Sequence, residues 1–158
     1  MITKSVGIDM KKLRLTILAI AISIIASNAS ALDFSFVDVQ KVMDTNECMG
    51  CNLKGAYFFG ADLSEANLIG ANLFGAEIIT TKLNNADLSK ADLRETVLAG
   101  VDLSGANLSE AKLNNADLFK ANLSGANLKG ADLSGADLNG AIFCSTTMPD
   151  GSLNYSGC

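Results

Sequence analysis

Four cysteines are the residues of this chain best suited to chemistry: Cys48 and Cys51, with two residues between them, and Cys144 and Cys158 much further on. A CxxC pair can cycle between dithiol and disulfide, and four thiolates together can hold zinc. In an oxidising compartment the same residues can form structural disulfides instead. Catalytic CxxC pairs usually open a helix in a βαβ context, whereas this one follows a helical pattern. The chain has no His to act as a general base near neutral pH. No Gly-rich loop follows a strand and opens a helix, so no phosphate cradle is indicated. Outward carboxylates such as Asp92, Glu95 and Asp132 read as solvated charge rather than a preorganised cation loop. The reading is a non-enzyme with no catalytic residue, no cofactor, no metal and no small-molecule substrate.

The elements that must position the cysteines are set by a repeat. Residues 51–150 divide into twenty blocks of five without an insertion, and the third residue of every block is apolar. It is Leu in sixteen blocks; the first residue is Ala in fifteen. The second is mostly Asp or Asn, and the fifth is often Gly. On an α-helix a residue repeated every fifth place advances about 140° each time, which leaves no apolar stripe. On a flat strand an odd period sends successive leucines to opposite faces. The repeat is consistent only with a corner in every block, so that each third residue points to one shared axis. Gly tolerates positive φ at such corners, and Asp or Asn can bond its own backbone. The outcome is a solenoid with backbone ladders between coils about 4.8 Å apart.

Blocks such as Ala61-Asp62-Leu63-Ser64-Glu65 and Ala131-Asp132-Leu133-Ser134-Gly135 resemble the A(D/N)LXX unit of the pentapeptide repeat family. The resemblance implies an all-β solenoid, a right-handed quadrilateral β-helix with four blocks per coil. Twenty blocks then make about five coils, a rod roughly 24 Å long. On that frame Cys51 and Cys144 lie on the order of 20 Å apart, too far for one zinc ion or for a disulfide between the ends. The pairs are therefore local. Two structural disulfides, Cys48–Cys51 and Cys144–Cys158, would pin the helix-to-coil junction and fold residues 146–157 over the last coil. The paired N-terminal cysteines and the ending from Cys144 to Cys158 are similar to those of exported pentapeptide proteins of cyanobacteria and other bacteria, which implies a periplasmic or thylakoid-lumen home.

The N-terminal segment agrees with export. Lys4, Lys11, Lys12 and Arg14 precede a mostly apolar run at 15–26, and small residues follow up to Ala31. This reads as a signal peptide at 1–31, cleaved after Ala31 and started from Met1 or Met10. The apolar run is about 12 residues, short of the roughly 20 that span a bilayer, so no stable membrane insertion follows its removal. Cleavage removes four basic residues and Asp9, leaving 8 basic and 16 acidic, so the net charge moves from −5 to −8. An acidic surface without His opposes phosphate binding, and no nucleic-acid partner is predicted.

Residues 32–50 form the cap and junction, 51–150 the repeat and 151–158 the tail. Ser35-Phe36-Val37-Asp38 reads as a capping box with an Asp in place of Glu, flanked by Phe34 and Val39 as a staple. Phe36, Val39, Val42 and Met43 recur at helical spacing, which predicts a helix of about nine residues from Phe36 to near Asp44. Its role would be to cover the first coil, whose core and strand edges are otherwise open.

Function must then sit on the outside of the rod. With four blocks per coil, residues twenty apart stack on one face. Most outward columns are polar or Gly, but Phe59, Ile79, Ala99 and Phe119 form an apolar one that ends at Asn139, with Tyr57 and Val97 on the same face. Contiguous exposed apolar residues mark an interaction site. The first hypothesis is an exported structural or protein-interaction module whose partner is another protein or a second copy of the chain. The second, carried by the resemblance, is a DNA-mimicking rod that shields a type II topoisomerase. The acidic surface suits the second, and the signal peptide opposes it. A redox or metal protein acting through the Cys pairs is the third.

Overall fold

The computed structural model describes residues 34–158. The signal segment 1–31 and its cleavage point after Ala31 lie outside the described residues.

Helix α1 spans Phe36–Thr45. Ser35 starts it: its Oγ accepts from Asp38 N–H at 3.3 Å, satisfying one donor of the open first turn. The reciprocal half of the capping box is missing. The Asp38 carboxylate accepts instead from Asn52 N–H at 2.9 Å, and Ser35 N–H donates to Asn52 C=O at 2.9 Å. A shorter Asp thus ties the helix to the first repeat block rather than to its own cap. Asn46 ends the helix in the left-handed region (φ 57°), with its N–H on Val42 C=O. Val39 and Val42 enter the core, and Phe34 and Met43 pack against it. Phe36, at the first helical position, does not and stays exposed. Among the described residues no helix is long and apolar enough to cross a membrane.

Beyond the helix the backbone pairs with itself every twenty residues. Asn52 pairs in parallel with Asn72, Asp62 with Lys82 and Asn107 with Asn127, so one turn of the solenoid holds four blocks. The block at 96–100 shows how the bonds run. Val97 N–H donates to Ala76 C=O in the turn before, and Leu98 N–H to Asp117 C=O in the turn after. Gly100 N–H also reaches the turn after, at Phe119 C=O, while Val101 N–H closes the corner on Leu98 C=O. The parallel contact is about one residue wide because a corner follows before a strand can grow. Pairing starts one block earlier than the sequence pattern indicates, at Glu47 with Asn67, and Cys48 is buried in the place of a central Leu. The repeat consensus hid this block, because Cys replaces Leu and the helix ends on its first residue.

Third residues from Leu53 to Leu128 are buried in one cluster, as are most of the Ala residues beside them. Three blocks place Thr where Ala usually stands, and each hydroxyl finds a backbone carbonyl: Thr146 Oγ1 donates to Leu123 C=O and Thr96 Oγ1 to Leu93 C=O, both at 2.6 Å, and Thr81 Oγ1 to Phe58 C=O. A buried hydroxyl without such a partner would cost about 1–3 kcal/mol.

The final turn differs. Leu133, Leu138, Phe143 and Met148 are only partly buried. The tail does not cover the whole coil. It turns back as an antiparallel pair, β1 (Thr146–Thr147) with β2 (Leu153–Asn154), and Phe143 N–H donates to Ser156 C=O. That covers the edge near 143–148, while Leu153 and Tyr155 face solvent. A chain reversed by the turn at 148–151 can lie along only one side of a square coil.

The core sets a stability test. Leu98 is fully buried mid-rod, and each such Leu contributes about 1.5–3 kcal/mol by burial. Leu98→Asp also buries a carboxylate with no partner, so a loss of about 4 kcal/mol or more is expected in urea unfolding. An unchanged midpoint would show that Leu98 does not face the axis.

Candidate functional site

The twenty-residue turn sorts outward residues into four faces. One carries Tyr57, Glu77, Val97, Asp117 and Asp137 at the paired positions, in register with one another. Two residues on, the same face carries Phe59, Ile79, Ala99, Phe119 and Asn139. Phe59 is 73% exposed, Tyr57 51%, Phe119 41% and Ile79 38%. Val97 and Ala99 are half-buried between them. Four of the large apolar residues that face solvent on the solenoid therefore fall on one face. On the others the bulky residue is often covered: the Phe74 ring lies under Lys54 Nζ at 5.7 Å and Arg94 Cζ at 5.3 Å.

The corners on this face are also different. Elsewhere the first N–H of each block donates back to the central C=O before it, as Ala56 does to Leu53 and Ala66 to Leu63. Among the described residues that bond is missing at Ala61 and at Thr81, the residues after Phe59-Gly60 and Ile79-Thr80. The Thr81 hydroxyl takes the Phe58 C=O instead. These two blocks have Phe58 and Ile78 as centres in place of Leu. Thr80 N–H also fails to continue the ladder to Ala99 C=O, although Gly60 N–H reaches Ile79 C=O and Gly100 N–H reaches Phe119 C=O on the same face. At these two corners a ring and a β-branched side chain stand at adjacent levels of a core otherwise built for Leu.

Sequence spacing, with the four blocks per coil that the family resemblance implies, puts Tyr57, Phe59, Ile79, Val97 and Phe119 on this face. It did not draw out the acidic row beneath them. Glu77, Asp117 and Asp137 occupy the same column as Tyr57 and Val97, a signal present in the twenty-residue stacking. The altered corners have no such sequence mark beyond the two unusual centres.

The cysteines sit away from this column. Cys48 and Cys51 have sulfurs 2.05 Å apart and both residues are buried; Cys144 and Cys158 have sulfurs 2.11 Å apart, with Cys158 exposed. Both pairs are at disulfide distance. Among the described residues no three His, Cys, Asp or Glu side chains are grouped to hold a metal.

The remaining carboxylates serve the coil. Ser64 Oγ (2.6 Å) and N–H (3.2 Å) hold the Asp62 carboxyl below its usual range, aided by Lys82. The Arg94 guanidinium does the same for Asp92. Burial pushes Asp87 up, but Ser89 and Asn107 outweigh it and the net shift is downward. Asp132 is lowered by Ser134 N–H and Asp150 by the Ser152 hydroxyl. All five stand on the other three faces and fix corners through the residue two places on. Because these groups are depressed in the folded state, their contribution is present above the unfolded value near about pH 3.9 and is lost as pH falls through the lower folded values. The melting temperature should therefore shift little between pH 7 and 5 and fall below about pH 4. A melting temperature that rises on acidification would contradict these bonds.

The pentapeptide repeats family model matches eight copies, over residues 51–89, 81–119 and 121–153. Among solved structures, the plasmid-mediated fluoroquinolone resistance protein QnrB1 is similar at 31% identity and a TM-score of 0.58, covering 61% of this chain. The chain spans about half of that protein's length, 48%. The pentapeptide repeat protein Rfr23 of the cyanobacterium Cyanothece 51142 aligns at 31% identity over 66% of this chain and 92% of its own, with a TM-score of 0.41. A thylakoid-lumen pentapeptide repeat protein of Arabidopsis thaliana aligns at 31% identity over 70% of this chain and 74% of its own, with a TM-score of 0.24. No curated protein matches significantly. With its twenty-residue turn, its buried central leucines and this match over most of its length, the chain belongs to the pentapeptide repeat family and has the right-handed β-helix fold of that family.

Proposed function

We propose that the protein is an exported, non-enzymatic rod that binds another protein through the face carrying Tyr57, Phe59, Ile79, Val97 and Phe119. The rod has about five coils from 51 to 150, is plugged by α1 within the cap segment 32–50 and is tied at both ends by disulfides. The observation that carries the reading is the clustering of four large exposed apolar side chains, Tyr57, Phe59, Ile79 and Phe119, on one face of a solenoid whose outward residues are mostly Asn, Asp, Ser and Lys. Water-exposed aromatic rings in a contiguous column are what a docking surface requires. Export is supported by the basic and apolar pattern of residues 1–31 and by two cysteine pairs at disulfide distance.

The second reading, a DNA-mimicking shield for a type II topoisomerase, is favoured by the similarity to a fluoroquinolone resistance protein and by the acidic balance of the chain. The two readings separate by compartment. In cell fractionation the first places the protein in the exported fraction, with four oxidised cysteines by mass spectrometry under non-reducing conditions. The second places an active pool in the cytoplasm that inhibits gyrase in supercoiling assays. Affinity capture from the exported fraction then tests the face. Phe59→Ser with Phe119→Ser should lose the captured protein while keeping the wild-type circular dichroism spectrum. Capture that survives this double substitution, with the fold intact, would refute the face.

A further inference from the structure

The proposed binding face carries a charge pattern that the other three faces lack. Its acids are Glu77, Asp117 and Asp137, set in the column beside Phe59, Ile79 and Phe119. Among the described residues none of the three is in an ion pair. Each of the other faces has one: Lys82 with Asp62 at 3.7 Å, Lys90 with Glu110 at 3.9 Å and Arg94 with Asp92 at 2.6 Å. The one cation on this face is Lys120, whose Nζ sits 4.9 Å from the centre of the Phe119 ring rather than on a carboxylate. Asp117 and Asp137 accept through Oδ1, from the N–H of Phe119 and from the N–H and Nδ2 of Asn139, and among the described residues their Oδ2 atoms take no hydrogen bond or ion pair.

We propose that this face binds an extended polypeptide segment that alternates basic and apolar side chains, laid along the rod axis. The inference rests on the reading of this face as a protein-docking surface and adds the chemistry of its partner. The apolar side chains of the segment would cover Phe59, Ile79 and Phe119, and its Lys or Arg side chains would meet Glu77, Asp117 and Asp137. Two neighbouring columns, one apolar and one with three carboxylates beside Tyr57 and Val97, demand both from a single ligand. In an extended chain side chains alternate with period two, so a basic and apolar alternation presents the two kinds to two parallel tracks. An acidic or phosphate-bearing ligand would be repelled by the same row, and a purely apolar one would strand three carboxylates out of water.

The test uses the full chain with its disulfides intact and two labelled synthetic peptides, one alternating Lys and Val and one alternating Glu and Val, in fluorescence anisotropy at low and at physiological salt. The Lys peptide is expected to bind and the Glu peptide not. Glu77→Gln with Asp117→Asn and Asp137→Asn keeps shape and the backbone acceptors and should weaken the Lys peptide at least tenfold. The same number of neutralised acids on other faces, Glu65→Gln with Asp102→Asn and Glu110→Gln, should leave it within twofold. Equal weakening by the two triple variants would reduce the effect to net charge and overturn the proposal. So would a Lys peptide that binds no better than the Glu peptide. If Phe59→Ser with Phe119→Ser abolishes capture of the cellular partner while the acidic triple variant captures it unchanged, the docking face stands and the basic partner falls.

Discussion

The structure depends on a left-handed corner at every fifth residue. That corner turns the chain through one side of a square, and it has two consequences at once. It aims the central side chain of each block at the axis, and it swings the fifth N–H along the axis to a carbonyl of the next coil. The conformation is imposed whatever residue is present. Gly70 and Gly100 adopt it freely, but Glu65, Lys90, Glu95 and Lys120 also hold φ between 56° and 61°. An L residue there costs about 1–2 kcal/mol. The bond from its own N–H to the next coil, such as Glu95 to Asn114 or Lys120 to Asn139, and the leucine it sends inward offset that cost. The Asp or Asn at the second position adds a further brace, accepting from the N–H two residues on in block after block.

A rod made this way has little room for a reaction centre. Its interior is filled by central side chains, and its outer residues are spaced by a rigid lattice of about 4.8 Å along the axis. What it does well is hold side chains in straight columns. Polar columns knit themselves together: Asn127 donates to Asn107, which donates to Asp87, and Asn122 donates to Asp102. The face with Phe59 and Phe119 cannot do this, since rings and carboxylates stacked in adjacent columns do not satisfy each other. That failure of self-completion, on a scaffold that completes itself elsewhere, is the physical basis for assigning recognition to this face.

Much of this was legible in the sequence because the repeat is so strict. The inward leucines, the stacking of residues twenty apart and the start of α1 at Ser35 all follow from spacing and side-chain type, the coil size with help from family resemblance. What escaped reading lies where the pattern is broken. Cys48 takes a central position that the Leu consensus does not flag. Asp38 has a choice between its own helix and Asn52, and only the three-dimensional path decides it. The exposure of Phe36 and the partial cover over Leu133 and Leu138 depend on where a short helix and a reversed tail come to rest, which no local pattern encodes. The missing corner bonds after Phe58 and Ile78 fall at two bulky centres on adjacent levels, a pairing of residues twenty apart.

Amide hydrogen exchange resolved by residue tests the corner-and-ladder account most directly. The account predicts slow exchange with a period of five through the middle of the rod: the second, third and fifth amides of each block most protected, by bonds to neighbouring coils, the fourth less so because it is held only by a side chain of its own block, and Thr80 fast where its fellow fifth-position residues are slow. Protection that is uniform along the chain, or that recurs with a helical period near 3.6, would contradict it.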